Sequence, residues 1–394
     1  MKIGFLFNHE EAHQIAHTAP IISHLQKQRP AAQVHVLYSG ADFEGIIAAH
    51  LDPQIKPPEF RRLQRNRAMD LAEKLIGSMA PVGRIGGLSA NLELLQQYDA
   101  LVVPETMTTM LKSRYGVTDT RLIFFPHGAG DRSISISEEM ALFDYVLLPG
   151  AKTRDRMLEA KVIRQDNHAL VGYPKFDVPP AELREPLFPN DRPIVLYNPH
   201  FDPRLSSWYE FALPLLEYFA AQDRFNLIVA PHVMLFRRKI LASLEHRQIR
   251  MRRNIPARFF EADNIHIDLG SPACVDMTYT RAADIYLGDV SSQVYEFIER
   301  PRPAIFLNGH AANWRGDPNY AFWEFGSVAE DMAEFESALD RALPLDDNFA
   351  AAQQNAFAQT FAIDPRESSA SRAARAIADY LDRELASISA GAPA

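Results

Sequence analysis

The chain has 394 residues, with 41 Lys and Arg against 50 Asp and Glu and a formal charge of −9; at ~150 residues per domain it has room for two or three. Its 47% hydrophobic and 23% charged content excludes a disordered chain, and its negative sign argues against a dedicated nucleic-acid binder. One cysteine, Cys274, makes no internal disulfide and no Cys-rich zinc site.

The first apolar run, Lys2–Phe7, stops at Asn8 and His9, too soon for a signal-peptide core of ~7–15 residues. No stretch reaches the ~18 apolar residues of a membrane span. A cytoplasmic protein is therefore expected. Further short runs rich in Val, Ile, Leu and Phe follow at Gln33–Tyr38, Ala100–Pro104, Arg121–Pro126, Tyr145–Leu148 and Ala169–Tyr173. Strands buried on both faces of a parallel sheet read this way. Between them Ala12–Arg29 and Met69–Ser78 carry apolar residues at helical spacing. Pro174–Pro193 holds six prolines, which fix φ and remove donors, and reads as a linker. A second strand series follows at Pro193–Asn198, Asn226–Ala230, Asn264–Asp268, Ala283–Gly288 and Ala304–Leu307. The tail Ser368–Ala386 is helical in character and the last residues look frayed.

Alternating strands and helices in two series predict an α/β protein of two doubly wound, Rossmann-like domains facing across a cleft. The boundaries are 1–175, a Pro-rich linker 176–192, 193–365, and a C-terminal helix and tail 366–394. Ligands in such sheets bind beyond the carboxyl ends of the strands. Four of those ends carry chemically capable residues: Pro126-His127-Gly128, Asn198-Pro199-His200-Phe201-Asp202, Pro231-His232, and Gly288-Asp289-Val290-Ser291-Ser292 followed by Glu296.

The last is the most informative. A helix expected over Ser292–Glu299 would start at the serines, either as an ordinary N-cap or as an anion site suited to phosphate. Glu296 could accept from ribose hydroxyls. His127 sits in a turn where glycine permits close approach of a ligand, and histidine titrates near neutrality, as a general base requires; a loop histidine bonded internally is the plainer reading. His200 and His232 carry the same two readings.

His9-Glu10-Glu11-Ala12-His13 matches the zinc-protease pattern. It begins directly after the first strand, and His9 to His17 spans ~12 Å along a helix, so those three cannot share one zinc. No metal is expected. Residues 236–258 hold eight Lys/Arg and one acid, Glu245. A solvated helix face is the plain reading, and contact with anionic lipid at the inner face of a membrane the functional one. The run Arg61-Arg62-Leu63-Gln64-Arg65-Asn66-Arg67 is a weaker case.

Over roughly residues 100–375 the set resembles the CDP-glycerol glycerophosphotransferases, the teichoic-acid primases and polymerases. The residues that carry it are His127-Gly128, Gly172-Tyr173-Pro174-Lys175-Phe176-Asp177, Tyr197–Asp202, Ala230-Pro231-His232, Gly288–Ser292 and Arg302-Pro303. The resemblance implies a GT-B fold and transfer of a glycerophosphate, polyol-phosphate or glycosyl group from a nucleotide-activated donor to a hydroxyl acceptor, lipid-linked or polymeric. It implies His127 as general base, with His232, Ser291 and Ser292 on the donor phosphates. Asp289 would orient that loop and Glu296 the ribose. Gly128, Arg132 and His200 are further donor or acceptor contacts. The donor is a substrate, CDP-linked by preference, and no cofactor is implied. Where the family has Thr and Arg, this chain has His200 and Asp202. A nucleotide-sugar epimerase, which usually has two glycines at Ser291 and Ser292, and a non-catalytic nucleotide- or polymer-binding protein are the competing readings.

Overall fold

A computed structural model of the chain describes residues 1–9, 12–65, 82–126, 128, 136–179, 186–243 and 246–391. They form two compact units. The described residues up to Pro179, with those from Ala358 onward, make the first; the residues from 186 to Phe357 make the second.

The first unit is built on β1 (Lys2–Phe7), β2 (Gln33–Tyr38), β3 (Glu59–Arg62), β4 (Ala100–Val103), β5 (Arg121–Phe124), β6 (Tyr145–Leu148) and β7 (His168–Leu170), in the order β3-β2-β1-β4-β5-β6-β7. Every pairing is parallel; Ile3, for example, lies between Val34 and Ala100. The central strands are apolar throughout because helices cover both faces. The second unit carries β8 (Ile194–Asn198), β9 (Asn226–Val229), β10 (Ile240–Ser243), β11 (Gln248–Met251), β12 (Ile265–Ile267), β13 (Ile285–Gly288), β14 (Ala304–Leu307) and β15 (Ser327–Ala329). Its main sheet runs β12-β9-β8-β13-β14-β15, again all parallel, and β10–β11 form a separate antiparallel ribbon. Counted within the main sheet this is 3-2-1-4-5-6, the order shared by the first six strands of the other unit. In each sheet strands are added outward to one side from strand 1 to strand 3 and to the other side from strand 4 on, and this switch between strands 1 and 4 opens a crevice there.

Every strand expected from the apolar runs is present, with ends matching to within three residues. Four were not expected: β10 and β11, which lie in the basic segment read as a helix face, and two in the main sheets. Strand β3 (Glu-Phe-Arg-Arg) is polar because it is an edge strand, and β15 is three residues long. The stretch Ala12–Arg29 is not one helix. It is a 3-10 helix, Ala12–His17, and an α-helix, Ala19–Gln28, with Pro20 in its first turn. The expected helix Met69–Ser78 lies outside the described residues, as does part of the arginine run 61–67.

The Gly172–Asp177 motif has a clear structural role. Gly172 has φ +84, and a Cβ there would sit 2.4 Å from Ser369 Oγ. Pro174–Asp177 forms a 3-10 turn with Pro174 and Lys175 buried. The Asp177 carboxylate accepts the N–H groups of Ser369 and Ala370 at 3.1 and 2.7 Å. It thereby serves two of the orphan donors that open the C-terminal helix Ser369–Gly391. Burial pushes its carboxyl above the ordinary value, against those two bonds. The helix packs on Ala19–Gln28: Arg29 donates to Ala378 O and pairs with Asp382, and Tyr380 stacks on Tyr145. Removing the Asp177 carboxylate should cost about 1–2 kcal/mol, the usual value of an N-cap, and should speed amide exchange in the first turn after Ser369.

Candidate functional site

The carboxyl edge of the second sheet is organised by Asp289. It follows β13, is wholly buried, and takes N–H groups from the loop after β8, the strand beside it. His200 N donates to both its oxygens at 2.9 and 3.2 Å. Ser207 donates twice, from N at 2.7 Å and from Oγ at 2.8 Å, and Val290 N donates at 2.5 Å. Asp289 thus ties the two sides of the switch point together. Burial pushes its carboxyl up to about 6, against the pull of those donors. Asp268, after β12, goes the other way. Burial is outweighed there by bonds from the Ser271 hydroxyl and N–H, the Tyr279 hydroxyl and Gly270 N–H, which hold it at about 2.

Around this knot lie groups that strand-end inspection alone does not single out. Ser207 stands just before the helix Trp208–Ala220, yet its hydroxyl makes no cap. It is spent on Asp289 and on Tyr197 Oη at 3.0 Å. Asn198 donates to Ala230 O at 2.7 Å and accepts from Tyr286 Oη at 3.3 Å, fastening the ends of β9 and β13 to β8. Trp323 donates from Nε1 to Asp289 O at 2.7 Å. These residues stand next to the motif in space and not in sequence, so no local pattern marks them.

The serine corner departs from the expected helix start. The helix is Val294–Phe297 only, with Gln293 before it and no side-chain cap. Pro301 and Pro303 follow too closely for it to extend. Four residues supply no useful dipole, so neither the capping reading nor the dipole reading applies as stated. What the corner offers is different. Gln293 N turns back to Ser291 Oγ at 3.4 Å, and Val294 and Tyr295 N–H groups return to the Ser291 and Ser292 carbonyls. Among the described residues nothing accepts the N–H groups of Ser291 and Ser292. Ser292 is exposed and Ser291 buried. Backbone N–H groups in succession beside a hydroxyl are the kind of donors from which anion sites are built.

No protein-family model matches the chain, and no curated protein matches it in sequence. Its structure is similar to that of the wall teichoic acid polymerase TagF soaked with CDPG, with TM-score 0.60 and 13% identity over 98% of this chain and 88% of that one. It is also similar to the UDP-GlcNAc 2-epimerase from Neisseria meningitidis bound to UDP-GlcNAc, with TM-score 0.57 and 12% identity over 97% of this chain and 100% of that one. The fold is GT-B.

Within this GT-B chain the sequence-selected residues separate. His200, His232, Asp289, Ser291, Ser292 and Glu296 all lie at or just beyond the carboxyl edge of the second sheet. Gly128 follows β5 of the first and is exposed. His127 and Arg132 lie outside the described residues. His200 accepts Asp202 N on Nδ1 at 3.1 Å, and its ring packs on Phe201 and on His232, with ring centres 4.5 and 5.6 Å away. Asp202 in turn accepts Arg204 N at 2.8 Å and opens the turn that leads to Ser207. His200 and Asp202 therefore shape the loop that Asp289 holds. Glu296 is buried in its short helix.

His232 keeps part of its surface open, yet its ring is closely surrounded by protein. Desolvation, with Arg237 adding to it, pushes it down to about 4. Its Nδ1 faces Met234 N at 3.3 Å. His310, after β14, bonds Tyr320 Oη through Nε2 at 2.9 Å, and burial, with Arg204 and His246, pushes it also to about 4. Both rings are neutral at pH 7 and act as hydrogen-bond partners, not as charges. A depressed folded pKa contributes stability that is present above about 6.5 and lost as pH falls through the folded value near 4. Histidine side-chain NMR should find both rings in the neutral form from pH 7 down to about pH 5.

The first sheet has a matching feature. Glu105, after β4, is buried and accepts Met107 N at 2.7 Å and Thr108 N at 3.2 Å. It also pairs with Arg84 at 2.8 Å. Across that switch point Asn8, after β1, donates to Arg84 O at 2.9 Å. His9 is buried between Phe7 and Phe43. Glu10 and Glu11 of the zinc-protease pattern lie outside the described residues; from Ala12 to His17 the chain is 3-10, where side chains eclipse at i+3 rather than i+4. Among the described residues the basic segment 236–258 carries no α-helix. It is the β10–β11 ribbon and a 3-10 turn, Ala257–Phe259.

Proposed function

We propose that the chain is a transferase that moves a glycerophosphate, polyol-phosphate or glycosyl group from a nucleotide-activated donor, CDP-linked by preference, to a hydroxyl acceptor in cell-surface polymer synthesis. The observation that carries the reading is the corner Asp289–Ser292. A buried carboxylate fixes the backbone at the switch point, where two N–H groups and the Ser292 hydroxyl are left for an anion. Donor phosphates fit that chemistry. The solved relatives in fold were captured with CDPG and with UDP-GlcNAc, both in keeping with it.

In the phosphoryl form of the reaction the acceptor oxygen attacks the phosphorus of the transferred group, and its proton passes to His127. A new P–O bond forms as the bond to the nucleoside monophosphate breaks, and the charge on the leaving phosphate is taken up by the Ser291 and Ser292 donors. His232, neutral, contributes a hydrogen bond, and Glu296 is assigned to the ribose. Gly128, Arg132 and His200 are assigned to donor or acceptor contacts. No metal or cofactor enters this reading.

Epimerisation is the second reading, favoured by one observation: the chain covers the whole length of the Neisseria epimerase. Product analysis separates the two. Incubation with CDP-glycerol or UDP-GlcNAc should release nucleotide only when a hydroxyl acceptor is present, and His127→Ala should lose turnover while keeping nucleotide affinity. Formation of an epimer without acceptor would replace the transfer reading, and absence of any turnover would favour a binding protein.

A further inference from the structure

We infer that the β10–β11 ribbon is a docking surface for an anionic lipid membrane. It is a two-stranded antiparallel ribbon in which Ile240 pairs with Met251 and Ala242 with Ile249. Directly opposed residues of such a pair point to the same side, so these four apolar side chains form one patch. The patch faces outward: Ile240, Ile249 and Met251 are 63%, 71% and 64% exposed. An antiparallel ribbon with one face in water ordinarily alternates polar and apolar residues, polar outward. This one is apolar outward as well.

The opposite face explains why the patch stays outward. Leu241 enters the core of the second unit. Arg250 pairs with Glu210 at 2.8 Å and lies over Tyr209, and Arg252 lies over Phe236 with 4.0 Å to the ring centre. With the inner face fixed this way, the outer face is presented at a constant angle. Around it stand exposed cations: Arg237, Arg238 and Lys239 immediately before Ile240, Arg247 at the turn and Arg253 just beyond Met251.

Charge selects the occupant. The whole chain is at −9, so a cationic rim here is a local reversal of sign. In a two-fold dimer through this patch the same surface would meet itself, bringing Arg237, Arg238 and Lys239 against their own copies. A soluble polyanion would satisfy the cations and leave the apolar face wet. An anionic bilayer satisfies both, with headgroups for the rim and the acyl boundary for Ile240, Ile249 and Met251. The inference does not depend on the transfer reading.

The test is flotation of the full chain with phosphatidylcholine vesicles, with and without about 30% phosphatidylglycerol. Two variants accompany it, Ile240→Thr/Ile249→Thr/Met251→Thr, which keeps strand-forming residues, and Arg237→Gln/Arg238→Gln/Lys239→Gln. Circular dichroism checks their folding. The wild type should float with the anionic vesicles and not with the neutral ones. Each exposed cation near a bilayer contributes roughly fivefold in binding, so the glutamine variant should bind on the order of a hundredfold more weakly, and the threonine variant at least tenfold. A polarity-sensitive dye on Ile249→Cys should shift to the blue on vesicles; Cys274 is buried, so labelling is selective. Absence of flotation, unchanged binding in either variant, or a dye that stays in water would overturn the inference. So would a wild-type dimer that the threonine variant converts to monomer, which would make a second copy the occupant.

Discussion

Asp289→Ala is expected to destabilise the second unit by roughly 3–4 kcal/mol, since each buried donor left without an acceptor costs about 1–3 kcal/mol and some relax or gain water. Four donors converge on this carboxylate: His200 N, Ser207 N, Ser207 Oγ and Val290 N. Asp289→Asn keeps one acceptor oxygen and turns an NH₂ toward the remaining donors, so it should lose about half as much. Thermal unfolding followed by circular dichroism reads both, at roughly 2–4 °C per kcal/mol for a unit of this size. The sign of the pH effect is also defined. A carboxyl raised to about 6 in the folded state holds a proton that the unfolded chain has released, so its contribution to stability falls as pH rises from about 4 to 6 and is flat above. That part of the profile should vanish in Asp289→Asn. A loss below about 1 kcal/mol in the alanine variant would mean that the carboxylate is not the tie between the loops after β8 and β13.

The second large effect is at Gly172. Its φ of +84 is open to glycine and costly for alanine, and the added Cβ would lie 2.4 Å from Ser369 Oγ and 3.0 Å from Ala362 O. The left-handed backbone alone costs about 1–2 kcal/mol, and the overlap adds to it, so Gly172→Ala should lose roughly 3 kcal/mol in the first unit. Amide exchange should rise along Ser369–Gly391, because Asp177 and Gly172 both hold the start of that helix. Adding Ser369→Gly removes the nearest atom but not the φ cost, so the double variant should recover about half the loss. Full recovery would assign the whole effect to the overlap, and none would assign it to the backbone.

The sheets were legible because their central strands are buried on both faces and so read as unbroken apolar runs. The rule that ligands lie past the carboxyl ends then led to Asp289 and its serines without any structure. What could not be read has physical causes. Strand β3 is polar because it is at an edge. The ribbon β10–β11 was hidden in a run of arginines: Arg250 and Arg252 point inward onto Tyr209 and Phe236, so the charged residues do not mark the solvent face. Ser207 and Trp323 reach the switch point through long-range packing. Asp177 stands in the Gly-x-Pro-x-x-Asp segment Gly172–Asp177, but its role was not legible there, since the helix it caps begins 192 residues later. The helix after Ser292 was expected to run from Ser292 to Glu299; it covers only Val294–Phe297.

The role proposed for the corner Asp289–Ser292 is to bind the phosphate of a nucleotide-activated donor. Isothermal calorimetry with CDP, CMP, UDP, GDP and ADP tests it most directly, on the wild type, on Ser291→Ala/Ser292→Ala, and on Ser292→Pro, which removes one of the two N–H donors. One nucleotide, CDP or CMP by preference, is expected to bind at micromolar to sub-millimolar strength. Both variants should weaken that binding roughly tenfold or more, as loss of a hydrogen bond to a charged group implies, while keeping the wild-type unfolding midpoint. Binding of no nucleotide, or binding that both variants leave unchanged, would contradict it.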